Sequence, residues 1–341
     1  MTTGTSDVLE LAPDDPRLSL RGQAELLREG EWLVPGRLPV ATQRWLIDPV
    51  LAEKAAMPAG VRLDFRTDAT ALHWPVEVRS PAGASRAPAP FDVLVNGKLL
   101  ARLPVDGPAT LAVELPAGPK SVRIWLPQFG SVRLGRVRLT GANLLEPTDR
   151  EPNVVLYGSS ITQCTGASGP SETWPALVAT ALGGDLRCLG FAGECHLDPM
   201  IARFIRDCPA DLISLCVGVN IHGRSSYSRR TFAAALTGFV ATIRDGHPDT
   251  PLVLMTPIAT ADREHASNDV GLSLADLRAE VTAVRDFLYQ RGDSALRLVN
   301  GLDVLGPGET GLLGDGLHPT PAGYRLMAER LTPLLGGCLS G

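Results

Sequence analysis

The chain has 341 residues, long enough for two domains and a large core. Its 44% hydrophobic and 20% charged composition is that of an ordinary globular protein. A net charge of −5 argues against nucleic acid as a partner, and neither a polybasic run nor an apolar stretch of roughly 18 residues points to a membrane.

The opening stretch, MTTGTSDVLELAPDD, lacks the basic and apolar regions of a secretory signal. From about Leu18 to Gly141 the chain offers short β-like segments divided by Pro, Gly and Asp, among them VRLDFRT, SVRIWL and SVRLGRVRL. The last two alternate apolar and polar residues, the signature of a half-buried strand. Asn96-Gly97 between two such runs predicts a two-residue hairpin. Long helical periodicity is missing, so this half reads as an all-β, jelly-roll-like sandwich. Trp32, Trp45, Trp74 and Trp125 lie in it, with core filling by most of them the main reading and a sugar-stacking surface the rival one. The polar, Pro-containing stretch Leu144 to Asn153 marks a boundary. The expected domains are 1–150, an accessory sandwich contributing to carbohydrate or other substrate binding, and 151–341.

The second half alternates strands and helices. Strands are expected at 153–157, 186–190, 211–217, 251–256 and 296–300. Trp174 and Pro175 begin a helix and are placed to wall an acyl pocket. Asp198 is expected to cap a helix with Pro199 at its first position. Ser228 precedes Phe232, Leu236, Phe239 and Ile243, spaced for one helical face. Ser273 with Asp276 forms a capping box, and Thr320-Pro321 opens the last helix. This alternation implies a five-stranded parallel sheet with helices on both faces, a flavodoxin-like three-layer domain. All six cysteines lie between Cys164 and Cys338 with no C-x-x-C pair, so free thiols and a cytoplasmic location are expected.

Four short motifs fall just past predicted strand ends, where open α/β sheets bind ligands. Ser160, in VVLYGSSITQ, follows the first strand; a serine hydroxyl becomes a nucleophile only beside a base. Gly193, in GFAGE, follows the second, and a glycine there lets a backbone N–H approach a substrate oxygen. Asn220, in CVGVN, follows the third and offers an amide donor. Asp315 and His318, in GDGLHPT, follow the fifth, as an orienting carboxylate and an acid–base imidazole. Each alone reads as well as a turn or a cap, and Asp315 with His318 as half of a metal site, though no second His or Cys cluster completes one. Together on one rim they point to a serine nucleophile with its base and oxyanion donors. His196, His222 and His265 lie in or near rim loops, Arg224 and Arg263 offer charge for an anionic donor against a solvated alternative, and Cys164 follows Ser160 by four residues with nothing to mark it reactive.

These blocks resemble those of the GDSL, or SGNH, serine hydrolases. The first block reads Gly158-Ser159-Ser160-Ile161-Thr162, the second supplies Gly193, the third reads Gly218-Val219-Asn220-Ile221, and Asp315-Gly316-Leu317-His318-Pro319 is intact. The resemblance implies Ser160 as nucleophile, His318 as base and Asp315 as its orienting partner. It implies an oxyanion hole of the Ser160 and Gly193 N–H groups and the Asn220 side chain. Ser159 and Ile221 stand where the family carries Asp, which puts loop bracing in question. A β-sandwich ahead of such a domain is similar to the branch acting on acylated carbohydrates, and the Ala-, Arg- and Pro-rich composition resembles secondary-metabolism enzymes. The expected activity is acyl transfer through an acyl-serine, from an acyl or aryl thioester such as an acyl-CoA to a sugar hydroxyl of a small glycoside. A carbohydrate or small-ester esterase is the alternative, and a non-catalytic carbohydrate-binding protein the remote one. No metal or redox cofactor is expected; the partners are small molecules, and oligomeric state is not legible.

Overall fold

Apolar–polar alternation in the first half becomes a burial pattern in the computed structural model, which describes residues 8–81 and 83–339. Residues 1–7, part of the stretch read for a leader, lie outside them. In the strand Ala71–Arg79, Leu72, Trp74, Val76 and Val78 point inward while His73 and Arg79 are exposed. A period of two sends successive side chains to opposite faces, so one face is apolar. Two antiparallel sheets, of seven and six strands, contribute to one hydrophobic core that includes Phe65, Trp74, Phe91 and Ile124. The Trp74 indole donates to the Gly135 carbonyl at 3.0 Å, which satisfies its one polar atom inside that core. Asn96 and Gly97, at φ 48° and 76°, join Phe91–Val95 to Lys98–Leu103, the expected hairpin.

Two expectations for this half need correction. Trp45 is 62% exposed and fills no core. The stretch 144–153 also does more than link: Leu145–Glu146 pairs as a short strand with Thr67 and Arg66, because the Asp68 carboxylate accepts from the Asn143 and Leu144 N–H groups and draws the chain alongside.

The second half holds the five parallel strands Asn153–Gly158, Asp185–Gly190, Leu212–Cys216, Leu252–Met255 and Leu296–Val299. In the sheet the second lies outside the first, followed by the third, fourth and fifth. The third, LISLC, is buried throughout, as a strand covered on both faces should be. Each such aliphatic side chain contributes about 1.5–3 kcal/mol by leaving water. Helices begin where the sequence signals them: Trp174–Ala181, Arg229–Arg244 with a capping box on Ser228, Leu274–Tyr289 with one on Ser273, and Pro321–Leu339. Asp198 precedes Pro199–Asp207, but its side chain makes no capping hydrogen bond.

Two compact units emerge. One contains 1–39, 55–150 and 169–171; the other contains 40–54, 151–168 and 172–341. A single cut after residue 150 therefore misplaces two segments, and Val40–Lys54, with its buried Leu51, counts with the parallel sheet. Among the described residues no helix is long and apolar enough to cross a membrane. All six cysteines are free; Cys164, Cys188, Cys195, Cys208 and Cys216 are buried, and Cys338 is half-buried.

Candidate active site

Sheet order brings the four motifs to one edge. Tyr157 pairs with Leu189 on one side and Leu215 on the other, so the first three strands end level. Strand order, not strand direction, switches between the first and third strands, the position at which open α/β sheets form a crevice.

Ser160 starts the four-residue helix Ser160–Gln163 immediately after the first strand. Ser159 caps that helix, its hydroxyl accepting from the Ile161 N–H at 3.2 Å. Asp and Ser are equivalent N-caps, so the departure from the family's first block keeps the local bracing. Two glycines permit the turn. A Cβ on Gly158 would lie 2.2 Å from Thr162 Oγ1, and one on Gly190 would lie 2.3 Å from the Gln163 backbone nitrogen. The Trp174 indole donates to the Ile161 carbonyl at 2.8 Å and holds the helix from behind; buried this way, Trp174 braces the turn.

Ser160 Oγ lies 2.8 Å from His318 Nε2, across 158 positions of chain. His318 Nδ1 lies 2.7 Å from Asp315 Oδ2. Asp315 also accepts the His318 and Leu317 N–H groups on Oδ1, at 2.7 and 3.0 Å. Partial burial alone would raise this carboxyl; the His318 backbone and ring, with Leu317, outweigh it and bring it down to about 2. Asp315 is thus ionised at neutral pH and holds the imidazole with a proton on Nδ1, leaving Nε2 free to accept from Ser160. Ser160 is only 8% exposed, while the His318 ring is about one-third exposed.

Gly193 has φ 84°, with nothing within 4 Å of where a Cβ would stand. Asn220 follows Gly218, whose φ of 123° and position against Pro257, 2.7 Å from a Cβ, require glycine. Asn220 Oδ1 accepts from the Cys195 N–H at 3.2 Å, which turns its amide nitrogen the other way. Among the described residues the Ser160 N–H, the Gly193 N–H and the Asn220 amide nitrogen donate to no protein acceptor. Three unspent donors and a serine–imidazole–carboxylate line can activate a hydroxyl and stabilise an oxyanion. Ile221 is fully buried, so the position that carries Asp in the family serves packing here.

The other rim candidates divide. His196 contacts Gly193 O and Ser226 Oγ. His222 is buried, with Nε2 3.0 Å from the Ala266 carbonyl; it ties down the loop after the fourth strand. His265 is exposed. Arg224 lies 3.8 Å from the buried Glu194, and Arg263 sits loosely beside Asp262 at 4.0 Å. Cys164 is fully buried and ends the Ser160 helix; burial pushes its thiol well up, so it is inert. Two supports carried no local sequence sign. Gln163 Oε1 accepts from the Ala192 N–H at 2.9 Å and joins the Ser160 helix to the Gly193 loop. Arg278 donates to the Pro257 carbonyl at 2.8 Å and pairs with Glu264, fixing the chain behind Gly218. Among the described residues no group of three or more His, Cys, Asp or Glu is arranged to hold a metal.

A parallel sheet with this rim defines a GDSL-type acyl-transferring or acyl-hydrolysing enzyme. The GDSL-like lipase/acylhydrolase family matches residues 151–336, and the chain belongs to it. Residues 18–134 match the SsfX3 N-terminal domain. The structure is similar to that of salicylyl-acyltransferase SsfX3 from a tetracycline biosynthetic pathway, with 37% identity, 96% of this chain and 97% of that one covered, and a TM-score of 0.89. The β domain is thus similar to the same enzyme's N-terminal domain. A putative GDSL-like lipase from Bacteroides ovatus (19% identity, 98% of each chain, TM-score 0.80) shares the fold. So does a family two carbohydrate esterase from Cellvibrio japonicus (19% identity, 98% of each chain, TM-score 0.70). No curated protein sequence matches the chain.

Proposed function

We propose that the protein transfers an acyl group through a covalent intermediate on Ser160, taking an aromatic acyl group from a thioester and passing it to a hydroxyl of a small glycoside. The carrying observation is the hydrogen-bonded line from Ser160 through His318 to Asp315. Ser160 Oγ attacks the thioester carbonyl as His318 Nε2 takes its proton. The Ser160 and Gly193 N–H groups and the Asn220 amide stabilise the resulting oxyanion. The C–S bond breaks, and the imidazolium protonates the departing thiolate. An acceptor hydroxyl then gives its proton to His318 and attacks the acyl carbon, and the same proton returns to Ser160 as the new ester leaves.

Likeness to a salicylyl-acyltransferase across nearly the whole chain supports the aromatic donor and transfer over hydrolysis. Hydrolysis is the second reading, favoured by the one-third exposure of the His318 ring, which lets water compete for the acyl-enzyme. Mass spectrometry of products from an aryl thioester, with and without small glycosides, tests the choice. Acylated glycoside is the expected result. Free acid alone, whatever the glycoside, replaces transferase by esterase.

A further inference from the structure

The loop Phe191–Leu197, which carries Gly193, is fastened at many points. Its Ala192 N–H donates to Gln163 Oε1, and its Cys195 N–H to Asn220 Oδ1. The peptide between His196 and Leu197 is held on both sides. The Tyr227 hydroxyl donates to its carbonyl at 2.9 Å, and its N–H donates to the Tyr157 hydroxyl at 3.1 Å. Leu197 adopts φ 61°, a left-handed conformation that costs an L-residue roughly 1–2 kcal/mol. Strain of this kind persists where the surroundings over-determine it, and it clusters at functional sites.

His196 reaches back from this pinned peptide to Gly193. Its Nε2 lies 3.0 Å from the Gly193 carbonyl oxygen. A carbonyl only accepts, so Nε2 carries the proton and donates. Its Nδ1 lies 2.9 Å from Ser226 Oγ and, in the neutral ring, accepts from that hydroxyl. Gly193 needs such a restraint, because a glycine at φ 84° has no side chain to limit its backbone and open space beside it. With Ala192 tied to Gln163 on one side and the Gly193 carbonyl tied to His196 on the other, the Gly193 N–H keeps one direction.

We infer that His196 is a positioning residue, which through the hydrogen bonds Ser226–His196–Gly193 aims one oxyanion donor without touching substrate. The inference rests on the acyl-Ser160 reading. The test compares wild type with His196→Ala, His196→Gln and Ser226→Ala, and with Ser160→Ala as control. It reads kcat and KM on an activated aryl ester and the affinity of an arylboronic acid, which forms a tetrahedral adduct on the serine. His196→Ala should lower kcat and boronate affinity alike by about 10–10²-fold, with KM within about twofold. His196→Gln, which returns an amide donor near the Nε2 position, should recover most of the loss. Unchanged kcat and boronate affinity in a folded His196→Ala protein overturn the inference, as does a loss confined to KM. Should His196→Ala not fold, Ser226→Ala decides: lowered kcat at constant KM supports the role, and wild-type kinetics overturn it. Full turnover by Ser160→Ala sinks the reading of the site, and the inference with it; an inactive Ser160→Ala beside an unaffected His196→Ala sinks the inference alone.

Discussion

Ser160 and His318 are separated by 158 positions and meet at 2.8 Å. Ser160→Ala should abolish turnover and labelling by an organophosphonate, and His318→Ala should cut kcat by at least about 10²–10⁴-fold while the chain stays folded. Normal ester cleavage by either variant reassigns the nucleophile or the base. Asp315 makes a separate prediction. Its folded-state carboxyl is depressed to about 2, so the interaction it contributes is present above the unfolded value of about 3.9 and is lost as pH falls through about 2. An acid limb in kcat/KM above about pH 4 therefore reports another group, and it should persist in Asp315→Asn at a rate lowered by about 10²-fold or more. Disappearance of the limb in that variant contradicts the assignment. The residue types of this line were legible in the sequence because the chemistry restricts them to a few kinds at strand ends. His196 was legible only as one of three loop histidines; its bond to Gly193 depends on a left-handed Leu197 that no local pattern announces.

At the scale of elements, the Ser160 helix sits directly on the end of the second strand of the parallel sheet. Gly190→Ala puts a methyl 2.3 Å from a backbone nitrogen of that helix, and backbone cannot swing aside as a flexible side chain does. The substitution should cost about 1–3 kcal/mol by overpacking and should also lower kcat, because Ser160 moves with the helix. A variant with a wild-type denaturation midpoint and wild-type kcat contradicts this packing. Strands and caps were readable ahead of the structure where their signals are local: apolar runs of four to six residues, Ser228 ahead of an apolar helical face, and Ser273 three residues before its capping partner. Capping by Asp198 was not, since its side chain makes no bond there. Neither was the pairing of Arg278 with Glu264, which joins a helix to a loop 14 residues earlier.

For the whole molecule, the informative departure is Val40–Lys54. Composition places it among β segments, yet it counts with the parallel-sheet unit. Asp48 and Lys54 act electrostatically on Glu194, next to Gly193; burial raises that carboxyl, Asp48 adds to the effect, and His196, Arg224 and Lys54 oppose it. Domain membership is decided by contacts distant in sequence, which composition does not encode. A chain starting at Glu151 lacks this part of its own unit and should melt lower than the full protein, with weaker turnover even of a small activated ester. Equal melting and equal turnover of the truncated chain refute the assignment of 40–54. The two-unit plan itself was legible, because the switch from period-two alternation to strand–helix alternation falls close to residue 150.

Five of the six thiols are sealed inside, and burial raises Cys164, Cys195, Cys208 and Cys216, the last to about 12. Alkylation needs thiolate and access together, and these four have neither while the fold is closed. The chain thereby carries its own record of breathing: Cys195, within the loop that holds Gly193, and Cys164, at the close of the Ser160 helix, become modifiable only when the rim itself comes apart.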